Sequence, residues 1–200
     1  MSVIHRSLHS VNVATLCCLL LAACGGDSGD GGTTPPVDYS TYQAQFAALH
    51  ATWDSIAVTD PATLPDSGSA TFSGVMLLDA QLGAGATSMA GTLNLAANFA
   101  TDGISGTADN FIDDADIAMT GTLVISNGIL DRNANTAIEY TFSSLLAGTL
   151  AGGGETYVIS ADLSGDFLGP SYDAVAGVIA GSAETGFGTG YLFGEFIAAQ

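Results

Sequence analysis

The sequence predicts a mainly β protein, an eight-stranded antiparallel up-and-down barrel preceded by one amphipathic helix. Three observations carry that expectation. From Ser69 onward, short runs of β-branched, aromatic and small residues recur between Gly, Asn and Asp clusters, as antiparallel strands require. The 26 glycines in 200 residues follow no collagen period and suit turns and sharply curved strands. Ahead of that region, one stripe of apolar side chains falls at helical spacing. Hydrophobic residues make up 48% of the chain and charged residues 11%, so there is material for one packed core, and the composition is not that of a disordered chain.

The helix is expected over residues 39–57, within a unit of 38–58. Asp38 or Ser40 can cap it, because a short side-chain oxygen accepts from the free N–H groups of the first turn. Its apolar positions are Tyr39, Tyr42, Phe46, Leu49, Trp53 and Ile56, alternating three and four residues apart on one face. Such a stripe ordinarily packs on the adjoining sheet, and a partner-binding face is the alternative. His50 lies at the edge of the stripe and is read as a solvent-edge residue rather than a ligand. Turn chemistry from Asp60-Pro61 to Ser67-Gly68 closes the helical segment.

Eight strands are expected at 69–80, 88–99, 103–112, 117–127, 137–149, 155–167, 173–183 and 187–198. In the second, Leu93, Leu95, Ala97 and Phe99 alternate with Thr92, Asn94, Ala96 and Asn98, so one face is dry and the other wet. The fourth repeats this with Met119, Gly121, Leu123 and Ile125 against Thr120 and Thr122. Asn127-Gly128 fits a hairpin turn; alternatively the strand continues to Asp131 and the turn spans Arg132 to Asn135. Glycines inside strands, at positions 74, 91, 106, 121, 165, 177 and 194, suit tight curvature and close strand approach. Closure into a small barrel filled by side chains removes edge strands, which a chain without Lys protects poorly.

The N-terminal segment reads as an address. Arg6 with His5 and His9 precedes a run from Val11 to Ala23 that is apolar apart from Asn12 and Thr15. This is shorter than the roughly 20 residues that span a bilayer and within the roughly 7–15 of a signal-peptide core. Leu21-Ala22-Ala23-Cys24 then resembles the lipobox of bacterial lipoproteins. The resemblance implies cleavage behind Ala23 and acylation of Cys24, so residues 1–23 are a signal peptide and Cys24 is the lipid anchor. A plain secretory peptide cut after the same small residues is the competing reading. Residues 24–37, rich in Gly, Ser, Asp and Pro, read as a flexible tether. Gly25 in place of Asp favours the outer membrane, by analogy with bacteria that use Asp there for inner-membrane retention.

Charge sharpens the picture. The chain carries 20 Asp plus Glu against two Lys plus Arg, a net charge of −18. Losing Arg6 with the signal takes the mature chain to −19 and leaves Arg132 as its one Lys or Arg. That excludes nucleic acid as a partner, since phosphate binding needs clustered cations. Cys17 and Cys18 leave with the signal, so the mature chain has no second Cys with which Cys24 could form a disulfide.

The stretch Leu163-Ser164-Gly165-Asp166-Phe167-Leu168-Gly169-Pro170-Ser171-Tyr172-Asp173-Ala174-Val175-Ala176-Gly177-Val178 resembles the barrel signature of transferrin-binding protein B-like surface lipoproteins, in which Gly-x-Phe-Tyr-Gly-Pro leads into an acidic, apolar, Gly-containing strand. Gly165, Phe167, Gly169, Pro170, Asp173, Val175 and Gly177 match, and Leu168 stands where Tyr is usual. The segments 99–107 and 190–196 resemble that barrel's hairpin and last strand. The resemblance covers residues 69–200. It implies a lipid-anchored outer-membrane protein, exposed at the cell surface, that acts as a binding or co-receptor module for a host or extracellular protein or for haem. A TonB-dependent receptor or a Slam-type translocator would be its membrane partner. A structural envelope lipoprotein without a dedicated ligand is the alternative.

No catalytic, cofactor or metal residue is expected. The mature chain lacks a free Cys, a Gly-x-Ser-x-Gly elbow, a His-Glu-x-x-His pair and a phosphate loop. Asp109, Asp113, Asp114 and Asp116 form the densest carboxylate set. They read as a solvated hairpin; a Ca²⁺ site is the alternative, although their spacing departs from the EF-hand loop.

Overall fold

A computed structural model describes residues 37–83 and 85–200. The expected signal peptide, Cys24 and the tether up to residue 36 lie outside the described residues. Helix α1 (Tyr39–Trp53) comes first, followed by a linker with one 3₁₀ turn at Pro61–Thr63. Eight strands follow: β1 (Ser69–Leu82), β2 (Gly85–Asn98), β3 (Gly103–Asp113), β4 (Leu123–Leu130), β5 (Phe142–Gly152), β6 (Glu155–Leu168), β7 (Ala174–Thr185) and β8 (Gly188–Ala199). Each pairs antiparallel with its neighbour in sequence, and β8 pairs back onto β1 to close the barrel. Up-and-down order puts the connections after β1, β3, β5 and β7 at one end, here the tip. Those after β2, β4 and β6 lie at the other, the base.

The helix begins where its cap dictates. Asp38 is extended, and its Oδ1 accepts from the Thr41 amide at 2.7 Å, the Thr41 hydroxyl at 2.7 Å and the Ser40 hydroxyl at 2.9 Å. The hydrogen bond from the Thr41 hydroxyl, then that from Ser40, holds the Asp38 carboxyl below its usual pKa. The helix stops at Trp53 rather than at residue 57, because the next residues are claimed by the barrel. Thr59 N–H donates to Phe167 O at 2.8 Å and Gly169 N–H to Ala57 O at 3.0 Å, with Val58 bridging Leu168. Ile56, expected on the stripe, is therefore off the helix and 39% exposed.

The stripe packs on the barrel's outer wall. Tyr42 is buried with Val75, Ala90 and Ile112, joined by the partly buried Tyr39, Phe46 and Leu77. The helix runs from tip to base: the Tyr39 N–H donates to Asp116 Oδ1 of the β3–β4 loop at 3.0 Å, and the linker meets the end of β6. Its outward face is Ala, Gln and Thr rather than charged.

Inside, alternate residues of every strand fill the lumen. Phe167 touches Phe72, Phe99 and Phe142 at ring-centroid distances of 5.8, 6.0 and 5.5 Å, and Met76, Met89, Leu93, Leu123 and Leu146 pack above them. Gly165 and Gly177 face each other across β6 and β7. A Cβ on Gly177 would lie 2.0 Å from Ser164 O and 2.8 Å from Phe196 Cε1. The space those two glycines leave is filled by Phe196 and Phe142.

Two strands differ from expectation. β4 runs over Leu123–Leu130, not 117–127. Residues 117–122 make only the isolated bridges Ile112↔Ala118 and Thr120↔Ala151, and Gly121 at φ +119 turns the chain. Asn127 sits left-handed at φ 53 where the β4–β5 register shifts, so Asn127-Gly128 is a bulge and the strand continues past it. β5 begins at Phe142, not at 137, because Ile138 and Glu139 donate to Asn135 O in a turn.

Candidate functional site

The expected site residue, Cys24, lies outside the described residues; the described part has a lumen, two ends and an outer wall where a ligand could meet it. Barrels of this size either hold one small ligand in the lumen or fill it with side chains. This one is filled. Among the described residues no buried side-chain polar atom lacks a hydrogen-bond partner. Thr141 N–H and hydroxyl both donate to Asp166 Oδ1, at 2.8 and 2.7 Å, and the Thr59 hydroxyl donates to Gly169 O at 2.5 Å. Ser144, on the inner face of β5, donates its hydroxyl to Leu163 O at 3.4 Å, so among the described residues no buried side-chain polar atom is left free to orient a ligand.

Both ends are different in kind. At the base, Arg132 reaches under the barrel and is only 22% exposed. Its Nε donates to Asp102 Oδ1 at 2.8 Å, Nη1 to Leu64 O at 2.8 Å, and Nη2 to Pro65 O at 2.7 Å and Phe99 O at 2.9 Å. This one side chain ties the linker, the β2–β3 turn and the β4–β5 loop together, and Leu64 beside it plugs the lumen. The sequence singled out Arg132 as a lone cation without a role. The signal available was that a cation kept alone in so acidic a chain is a candidate for internal use.

At the tip, a shallow depression of about 200 Å³ is rimmed by Leu82, Thr87, Glu155, Tyr157, Thr185 and Phe187. Three of the four clustered aspartates, Asp113, Asp114 and Asp116, are here too, but they do not converge with one another or with Asp109. Asp113 Oδ1 accepts from the Ala115 and Ile117 amides at 3.0 and 2.8 Å, Asp116 holds the start of α1, and Asp109 on the outer wall accepts from the Thr92 hydroxyl and from Asn110 Nδ2 at 2.7 Å. Among the described residues, no group of three or more His, Cys, Asp or Glu could hold a metal ion.

On the outer wall, α1 leaves a cleft of about 280 Å³ between Phe46, His50, Leu168, Val178 and Glu195. His50 is exposed, stacks on Phe46 with centroids 6.1 Å apart and lies 3.7 Å from Asp54 one turn on. Beside that cleft, Tyr191 and Phe193 project from β8 into solvent. The signature residues 165–177 form the β6–β7 hairpin. Gly165, Phe167, Val175 and Gly177 belong to its inner face, and Gly169 turns at φ +87. Their roles there are packing and turn formation.

No protein-family model matches this chain, and a search of curated proteins finds no match either. None of the described helices is long and apolar enough to cross a membrane.

Proposed function

We propose that this protein is a surface-exposed outer-membrane lipoprotein, anchored through Cys24, whose barrel is a non-enzymatic binding or co-receptor module for an extracellular protein or nutrient. The observation that carries the reading is Leu21-Ala22-Ala23-Cys24 placed directly behind an apolar run and ahead of a Gly-rich tether. The likeness of residues 163–178 to transferrin-binding protein B-like barrels supports the surface role. In this reading the ligand meets the outer wall or the loops, because the lumen is filled with side chains. A protein ligand suits that surface better than haem, which needs a pocket of its own.

The test combines anchorage with exposure. Alkaline washing releases a Cys24→Ala protein from membranes but not the parent, and protease added to intact cells removes the parent. An integral Cys24→Ala protein refutes the anchor. A chain protected on intact cells refutes the surface role and supports a structural role in the envelope. A TonB-dependent receptor or Slam-type translocator encoded alongside is the expected genomic setting.

A further inference from the structure

We infer that the outer wall of β8 binds arginine side chains of a cationic protein partner, which rests on the binding-module reading and names its class of ligand. Tyr191 and Phe193 point outward two residues apart on β8, 72% and 52% exposed, with rings stacked at 6.3 Å and 24°. A buried aromatic removes roughly 150–250 Å² from water, and here two adjacent rings forgo that on one stretch of wall. Strand register fixes what surrounds them. Asp79 of β1 lies directly opposite Phe193, Glu195 is the next outward residue along β8, and Glu184 of β7 is the diagonal neighbour of Tyr191. Directly opposed side chains stand about 4.5–5.5 Å apart at Cβ and diagonal ones about 7–8 Å apart, within reach of a shared ligand. All three carboxylates are exposed. A hollow of about 210 Å³ lies between Leu77, Asp79, Phe193 and Glu195.

Electron-rich ring faces beside carboxylates match one kind of group, a flat cation. A guanidinium can lie on a ring through its π face and engage a carboxylate through its N–H fork at the same time, whereas a compact, strongly hydrated ammonium does so poorly. The chain does not supply that cation itself. Its Lys and Arg are two: Arg6 falls in the expected signal peptide, and Arg132 is held at the base by four hydrogen bonds. A second copy would bring more carboxylates to the same place, and an anionic lipid surface would be repelled. The occupant is therefore a foreign chain presenting arginine.

The experiment uses the whole chain purified in mild detergent and two labelled peptides, an arginine nonapeptide and a lysine nonapeptide, titrated by fluorescence polarisation. The arginine peptide is expected to bind at least about fivefold more tightly than the lysine peptide. Tyr191→Ala/Phe193→Ala, which leaves every charge in place, should weaken it about tenfold with an unchanged melting temperature. Asp79→Asn/Glu195→Gln should weaken it comparably. Equal binding by the aromatic double variant overturns the inference, since any chain this acidic attracts polycations diffusely. Equal affinity for the two peptides overturns it as well. So does binding of a neutral glucan oligosaccharide that displaces the arginine peptide, which would make the rings a sugar platform. Arginine binding that persists in a chain hidden from protease on intact cells upholds the site and refutes surface exposure. Loss of binding in a surface-exposed chain does the reverse.

Discussion

Replacing Arg132 with Ala tests whether the base of the barrel is held by one side chain. The guanidinium makes three bonds to backbone carbonyls and one to Asp102, and both Leu64 and Phe99 are nearly inaccessible. A hydrogen bond from a charged donor contributes about 1.5–3 kcal/mol, and a buried carbonyl left without a partner costs about 1–3 kcal/mol. Water entering at the rim recovers part of this, so the net loss is about 3–5 kcal/mol. In a domain of this size each kcal/mol moves Tm by about 2–4 °C, which puts the expected drop near 10 °C or somewhat above. An ion pair with Asp102 and the exposed Asp66 alone would be worth at most about 1 kcal/mol and would fade with salt. Thermal unfolding followed by circular dichroism at low and high NaCl separates the two. Arg132→Lys should fall between parent and Ala, since an ammonium cannot reach all four acceptors. A drop of only 2–3 °C for Arg132→Ala, or one that vanishes in salt, would refute the clamp.

Gly177→Ala should prevent folding or cost more than about 3 kcal/mol, because its Cβ would strike Ser164 O and Phe196. Gly186→Ala, with open space around it, should melt like the parent; matched melting of the two variants contradicts the packing argument. Burial, with Asp109 adding its charge, pushes the Tyr42 phenol above its ordinary value. Its hydrogen bond to Asn110 O at 3.0 Å is then fully present below about pH 10, the unfolded value, and is lost as pH rises through the higher folded value. Emission from Trp53, the one Trp, should report α1 releasing at high pH. Tyr42→Phe should cost about 1 kcal/mol, and an alkaline transition unchanged in Tyr39→Phe/Tyr42→Phe would argue against this origin. Millimolar Ca²⁺ should leave the melting curve of the chain in place, since Asp109, Asp113 and Asp116 each serve a separate local bond; a clear rise in Tm would show that they can converge.

What could be read ahead of the structure is what local chemistry decides. Asp38 capping α1, the alternation in β2 and the Gly-rich β6–β7 hairpin all depend on residues within a few positions of each other. The departures come from long-range claims on the backbone. Nothing near Ile56 says that Ala57 and Thr59 will bond to β6, and nothing near Met119 says that its segment will reach only bridges before Leu123. Asn127-Gly128 is legible as a pair that fits a hairpin turn, but whether it makes a turn or a bulge depends on its pairing with β5. Arg132 was visible only as a count of one, because its acceptors lie about 30 and 70 positions away in sequence. The open rings of Tyr191 and Phe193 were equally hidden. A strand pattern tells which residues alternate, and the helix that covers part of one wall leaves the rest bare.

The course of α1 from tip to base also sets how the protein responds to mechanical load. A pull applied through residue 37 reaches the Tyr39–Asp116 bond first and then peels the helix one turn at a time, each turn held by a few side chains. The β1–β8 and β1–β2 ladders lie behind it and resist together. In the lipid-anchored reading proposed above, tension along the tether is spent on this detachable strap while the closed barrel stays whole.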